Sequence, residues 1–234
     1  YPHLRLPDLA IDARSKLVVT ESLFGMDGDR ANVERLLAAL GPGDALLVDE
    51  AHALGIEGAR GAGDCTALRD ARVLVVGTLS KAFGSAGGFL AGPATAIDFF
   101  ANEARTFVFD TAPPQGTAAA ALAALRIGRA DDALRARLAA NVARVHAALV
   151  ELGFARAGDA PSHVVPIVFG SASAALAVQA RLLEAGVLAP AIRPPTVAPG
   201  TSRIRISLTA AHTAADLDAL VAALARCRTL AATS

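Results

Sequence analysis

The sequence predicts an α/β protein: a mostly parallel sheet in its first part, followed by a smaller α+β C-terminal domain. Three observations carry this reading. Short apolar runs at residues 16–22 (KLVVTES), 45–50 (ALLVDE) and 73–78 (VLVVGT) have no polar face and alternate with other elements, as strands of a parallel or mixed sheet do. Past Pro113-Pro114 the apolar spacing turns helical, and strand and helix signals then alternate to the end. Hydrophobic residues make up 53% of the 234, enough for a sizeable core and too many for general disorder.

Taken in order, residues 16–22 form a β-branched run and a probable first strand. Asp29 is placed to cap a helix whose Val33, Leu36, Leu37 and Leu40 share one face, and the GPGD of residues 41–44 ends it. Residues 45–50 give a second strand that finishes on two carboxylates, 73–78 a third and 88–92 (GFLAG) a fourth. Leu134, Leu138, Val142, Val145 and Leu149 recur at helical spacing from about Asp131. A strand at 163–169, a helix at 173–184, a strand at 202–208 and a final helix with Leu217, Leu220, Val221 and Leu224 complete the chain. No repeats are visible.

Several functional classes are disfavoured at once. The formal net charge is zero, so no basic face points to nucleic acid or anionic lipid. Cys65 and Cys227 are the only cysteines, which does not indicate a disulfide scaffold. No apolar run reaches the roughly 18 to 20 residues of a membrane span. The first residues, YPHLRLPDLA, lack the basic start and apolar centre of a signal peptide, and a cytoplasmic protein is expected. The chain opens on Tyr1 in what reads as a loop, which suggests processing or a piece of something longer.

The chemistry gathers at strand ends. Asp49, Glu50 and His52 lie just past an apolar strand, at the edge where open α/β sheets bind ligands. The string DEAH also names a helicase class, but no GxxxxGK[ST] phosphate loop precedes it, and His52 has no partner at metal-ligand spacing. Alone, these loop carboxylates could equally cap a helix or stay solvated. Lys81 follows the third strand amid Thr78, Ser80, Gly84, Gly87 and Gly88. A lone lysine is usually a solvated charge. Here small residues let a ligand approach the backbone, hydroxyls can hold a phosphate, and a desolvated lysine can form a Schiff base. Lys81 follows Asp49 by 32 residues, room for one loop and one strand. An amine at one strand end and a carboxylate at another suit pyridoxal 5'-phosphate, whose ring nitrogen an aspartate keeps protonated.

Five ordered segments make the pattern specific: TESLFGMDGD, LLVDEAHALG with GARGAG, GTLSKAFGSAGG, ARTFVFDTAPP and IRPPTVAPGTSRIRISLTAAH. Over nearly the whole chain the sequence closely resembles the α-oxoamine synthase family of fold-type I pyridoxal-phosphate enzymes, which share the class I/II aminotransferase fold. The resemblance implies that residues 1–130 are the C-terminal part of the cofactor-binding large domain and 131–234 the small domain, with the family's N-terminal part lying before Tyr1. It implies Lys81 as the Schiff-base lysine and catalytic base, Asp49 as the partner of the ring nitrogen, and His52 as a donor to the cofactor's phenolic oxygen. Thr78 would hold the phosphate. Thr196 and Arg193 would line the substrate site, where a guanidinium suits a carboxylate, although RPP alone reads as a stiff surface turn. Arg105 and Thr111 fall in a segment that approaches the site across a homodimer interface. No metal is expected.

The last motif is most like the biotin-pathway branch, a transferase that condenses L-alanine with a pimeloyl thioester on coenzyme A or a carrier protein. Other branches make 2-amino-3-ketobutyrate or 5-aminolevulinate, and a catalytically incomplete fragment or pseudo-subunit is the rival reading. Two departures stand out. Gly25, in the cofactor-binding set, replaces a serine whose hydroxyl often binds the cofactor in the family. The FDTAPPQ around Thr111 is one residue shorter than the usual pattern.

Overall fold

The computed structural model describes residues 15–154 and 161–231, with side chains through residue 228. The chain divides into two compact units, Tyr1–Leu23 with Arg30–Asp132, and Phe24–Asp29 with Ala133–Ser234.

The first unit is built on a four-stranded sheet of order β1-β2-β3-β4, comprising β1 (Leu17–Glu21), β2 (Ala45–Asp49), β3 (Val73–Thr78) and β4 (Gly88–Ala91). The first three strands are parallel, in a register that sets Glu21 beside Asp49 and Asp49 beside Val76. β4 runs antiparallel to β3 and pairs Gly88 with Thr78. The carboxyl ends of β2 and β3 therefore share one edge of the sheet. Val18, Leu46 and Val48 bury one face against Val33, Leu36, Leu40 and Cys65. The opposite face is left partly open by the described residues: Leu17 and Val19 of β1 are 58% and 54% exposed. A strand with no polar face thus packs on one side only.

Helix α1 (Val33–Ala38) starts later than Asp29 suggests. Its cap is Asn32, whose side chain accepts the Arg35 N–H at 2.8 Å, while Asp29 lies buried in the second unit. A carboxamide immediately before the first turn reaches the free N–H groups, which Asp29 does not. After β4 come α2 (Ala94–Glu103), α3 (Arg105–Val108) and α4 (Gln115–Ala130). α4 begins directly after Pro113-Pro114 and buries only Ala121 among its described side chains.

The second unit holds a three-stranded antiparallel sheet of order β5-β7-β6, from β5 (Val164–Gly170), β6 (Ala191–Ile192) and β7 (Ser202–Ser207). Pro166 is tolerated because β5 is an edge strand, where one side needs no donor. Helix α5 (Asp132–Glu151) buries Leu138, Val142, Val145, His146 and Leu149, one stripe at helical spacing. Helix α6 (Ala172–Glu184) is capped by Ser171, which accepts the Ala174 N–H, and buries Ala175, Val178 and Leu182. Before α7 (Ala214–Ala231), Thr213 and Asp216 form a reciprocal cap, each side chain accepting from the other's N–H.

Residues 24–29 belong with this second unit. Arg203 bonds to the Met26 carbonyl and pairs with Asp27, and Arg205 donates to the Gly25 carbonyl at 3.1 Å. Gly28, at φ +71°, lies so near Val164 that a Cβ would stand 2.2 Å from its carbonyl oxygen. Only glycine fits that approach. On either side of the excursion, Leu23 and Arg30 bridge each other in the first unit.

Candidate active site

The edge shared by β2 and β3 carries the candidate chemistry. Asp49 is the last residue of β2 and Thr78 the last of β3, so parallel pairing brings a carboxylate and a hydroxyl to neighbouring strand ends. Asp49 Oδ1 accepts the Ala51 N–H at 2.8 Å, which orients the carboxylate as the chain turns away. Thr78 Oγ1 lies 2.8 Å from Ser80 Oγ and accepts the Ser80 N–H at 3.2 Å. The result is a pair of hydroxyls just before Lys81.

The 78–88 loop is closed at its base by Leu79 N–H to Gly87 O and Ser85 N–H to Leu79 O, each at 2.9 Å. Phe83 is its buried anchor, and Ser85 Oγ donates to the Thr117 carbonyl of α4 at 2.8 Å. Lys81 itself is exposed and makes no side-chain hydrogen bond or ion pair among the described residues. The described residues therefore do not supply the desolvation expected of this lysine, which is exposed. A Cβ at Gly84 or Gly87 would meet nothing within 4 Å, so space is open beside the backbone of this loop at those glycines. Lysine is also scarce: Lys16 and Lys81 are the two in the chain, against twenty arginines, and Lys16 lies 4.0 Å from Asp44.

The loop after β2 is tight. Gly55 N–H donates to Gly61 O at 2.8 Å and Gly63 N–H to Glu57 O at 2.9 Å. Arg30 bonds Glu57 at 2.6 Å and Asp64 at 3.2 Å. Glu50, only 1% exposed, accepts the Cys65 N–H at 2.7 Å. Burial raises the Glu50 pKa above the ordinary glutamate range, against the lowering pull of its bonds to Cys65. Burial likewise pushes the Cys65 thiol up, with the Glu50 carboxylate adding to the effect, so this cysteine is an inert core thiol. His52 lies half-buried in this loop. A cavity of about 510 Å³ nearby is lined by Glu50, Cys65 and Phe89 but by none of Asp49, Thr78 or Lys81.

The other candidates lie elsewhere. Thr111 and Arg105 are exposed in the first unit, with Arg105 over the Phe109 ring at 5.7 Å. Arg193 and Thr196 are exposed in the second unit, in a turn closed by Thr196 N–H to Arg193 O at 3.0 Å. Gly25 is buried in the second unit. Asp49, His52, Thr78 and Lys81 thus share one unit, while Gly25, Arg193 and Thr196 belong to the other. No group of three or more His, Cys, Asp and Glu side chains able to hold a metal occurs among the described residues. No described helix is long and apolar enough to cross a membrane.

Residues 3–224 match the aminotransferase class I and II family. The chain belongs to that family. Its relatives include the 8-amino-7-oxononanoate synthase of Anaeromyxobacter dehalogenans (strain 2CP-1), 45% identical over 96% of this chain and 58% of the relative. A serine palmitoyltransferase from S. paucimobilis, solved with a pyridoxal phosphate–myriocin adduct bound, superposes with a TM-score of 0.85 at 28% identity, covering 94% of this chain and 56% of that one. An 8-amino-7-oxononanoate synthase from Francisella tularensis gives a TM-score of 0.81 at 24% identity, over 94% and 64% of the two chains, which shows a common fold. The chain spans a little over half the length of the synthases it matches, 58% of the first. As a class I and II member it has the α/β architecture of fold-type I transferases.

The residues present fit the family's cofactor. A hydroxyl pair of the kind that can hold a phosphate ends β3, a carboxylate ends the adjacent strand, and an exposed lysine follows the hydroxyls. The roles of Glu50, Gly55 and Gly63 escaped the sequence reading, although the glycine cluster at 58, 61 and 63 marks a loop that turns back on itself.

Proposed function

We propose that the protein acts as an 8-amino-7-oxononanoate synthase. This is a pyridoxal-phosphate-dependent acyltransferase joining L-alanine to a pimeloyl thioester, with release of carbon dioxide and the thiol, in biotin biosynthesis. The observation that carries the reading is the placement of Asp49 and the Thr78–Lys81 segment at the ends of adjacent parallel strands, in a chain 45% identical to such a synthase.

When bound, the cofactor supplies an electron-withdrawing ring that stabilises negative charge at the substrate α-carbon. Lys81 would hold the cofactor covalently, and its amine would carry the proton to and from the substrate α-carbon. Asp49 would pair with the ring nitrogen and favour its protonated form. His52 donates to the phenolic oxygen and Thr78, with Ser80, holds the phosphate. The hydroxyl of Thr111, in the same unit, would add a further contact to the cofactor. Arg193 binds the substrate carboxylate and Thr196 lines the same site. The protein works in the cytoplasm as a homodimer.

The test is product analysis. The chain is supplied with pyridoxal phosphate and with alanine, glycine or serine against pimeloyl, acetyl, succinyl and palmitoyl thioesters. Product from alanine and the pimeloyl donor alone supports the proposal. Use of glycine with acetyl or succinyl donors, or of serine with the palmitoyl donor, assigns the chain to a sister activity. No product from any pair favours a catalytically incomplete chain.

A further inference from the structure

Glu50 is a glutamate inside the core, immediately after the aspartate of the candidate site. Its backbone N–H still donates to Val76 O at 2.8 Å, as if β2 continued. Its side chain turns inward, is 1% exposed, and accepts the Cys65 N–H at 2.7 Å. The carboxyl fills the space a side chain at residue 63 would need: a Cβ on Gly63 would stand 1.7 Å from Glu50 Oε2. Gly63, at φ +93°, is a conformation that glycine adopts freely. One group thus fastens the far arm of the 51–65 loop to the end of β2.

That loop meets the lysine loop. A Cβ on Gly55 would come within 2.6 Å of Ala82 Cβ, so the two turns touch backbone to side chain next to Lys81. The arm between Gly55 and Gly63 is closed by its own backbone bonds and by Arg30 on Glu57 and Asp64. Its near side is held to the end of β2 by the Leu54 N–H on Glu50 O at 2.8 Å, Arg60 Nε donates to Arg129 O at 3.1 Å, and its far side is held to the end of β2 by the Glu50 carboxyl on the Cys65 N–H.

We propose that Glu50 is a positioning residue for the cofactor site. Its buried carboxyl fastens the 51–65 loop and so fixes the backbone that carries Asp49 and His52 and supports the Lys81 loop. This rests on the reading of Asp49, His52 and Lys81 given above. Glutamine keeps an acceptor oxygen for the Cys65 N–H in nearly the same shape, which makes it the conservative replacement.

The test follows amide exchange and histidine ring resonances in the full chain, E50Q, E50L and G63A. In the unaltered chain the Cys65 amide exchanges at least about tenfold more slowly than those of Ala59 and Arg60. E50L fills the same space without an acceptor. It speeds exchange at Cys65 and across 51–63 by about tenfold or more, and it moves the His52 resonance while leaving those of His146, His163 and His212 in place. G63A does the same, and E50Q stays within about twofold of the unaltered chain. With pyridoxal phosphate added, E50L binds about tenfold more weakly and E50Q as the unaltered chain does. An undisturbed loop and His52 signal in E50L overturn the proposal. So does a Cys65 amide in the unaltered chain that exchanges as fast as Ala59, a result that needs no variant to fold. Failure of the unaltered chain to take up the cofactor overturns the functional reading instead, and the exchange rates then still decide whether Glu50 braces the loop.

Discussion

Two loops leave the same edge of the same sheet, and they are built in opposite ways. The loop after β2 is braced at every turn, by the Glu50 carboxyl on Cys65, by Arg30 on two carboxylates and by glycines with no room for a side chain. The loop after β3 is pinned at its base, at Phe83 and by Ser85 on the Thr117 carbonyl, and it carries an exposed lysine near glycines that border open space. A rigid carboxylate and an accessible amine are what a covalently held, ring-shaped cofactor needs. On the proposed reading, one loop would set the charge and the other would offer the bond.

The contrast can be broken at the amine first. K81R leaves the loop's charge but removes the nucleophile, and borohydride-fixed cofactor on the chain should disappear entirely. The glycines sharpen it next. G63A forces a positive-φ strain and displaces a buried carboxyl, a loss of about 3 kcal/mol. G84A, at φ +55° with nothing within 4 Å of the new methyl, should cost about 1 kcal/mol. Chemical denaturation of the two variants measures the difference, and equal losses would erase the distinction between braced and open loops. D49N keeps the hydrogen bond from Ala51 but removes the charge, and should weaken cofactor binding by about tenfold in a spectroscopic titration.

The smallest effect concerns pH. Burial lifts the Glu50 pKa above its ordinary 4.5, so the folded chain holds that proton more tightly than the unfolded one. The group's contribution is then complete below pH 4.5 and is lost as pH rises through the folded value. Thermal unfolding of E50Q against the unaltered chain should show the variant gaining relative stability across that window. A gap that instead widens towards low pH would mean an ionised, charge-stabilised Glu50.

The open half of this contrast was legible in the sequence, and the braced half was not. β3 and the lysine after it form a local signal, an apolar run, two hydroxyls and a glycine series within sixteen residues. Asp49 reads equally well as the end of an apolar run. Glu50 does not, since its role depends on residues 63–65 folding back to meet it, and nothing in the periodicity of β2 encodes that return. Residues 24–29 escaped for the same reason at longer range: their partners Arg203 and Arg205 lie well over a hundred residues away. The helix cap shows the short-range limit, because Asp29 and Asn32 are both good capping residues and only the backbone direction chooses Asn32. The partly bare face of β1 is likewise invisible in an apolar run, which states that a side chain can be buried and not what buries it.

The central claim is that Lys81 anchors pyridoxal phosphate at the shared end of β2 and β3. With only two lysines in the chain, one measurement tests it with its own control: cofactor is added, the adduct is reduced with borohydride, and the modified peptide is mapped. The account predicts stoichiometric label on Lys81 and none on Lys16. Label on Lys16 in equal measure, or on neither lysine, would contradict it.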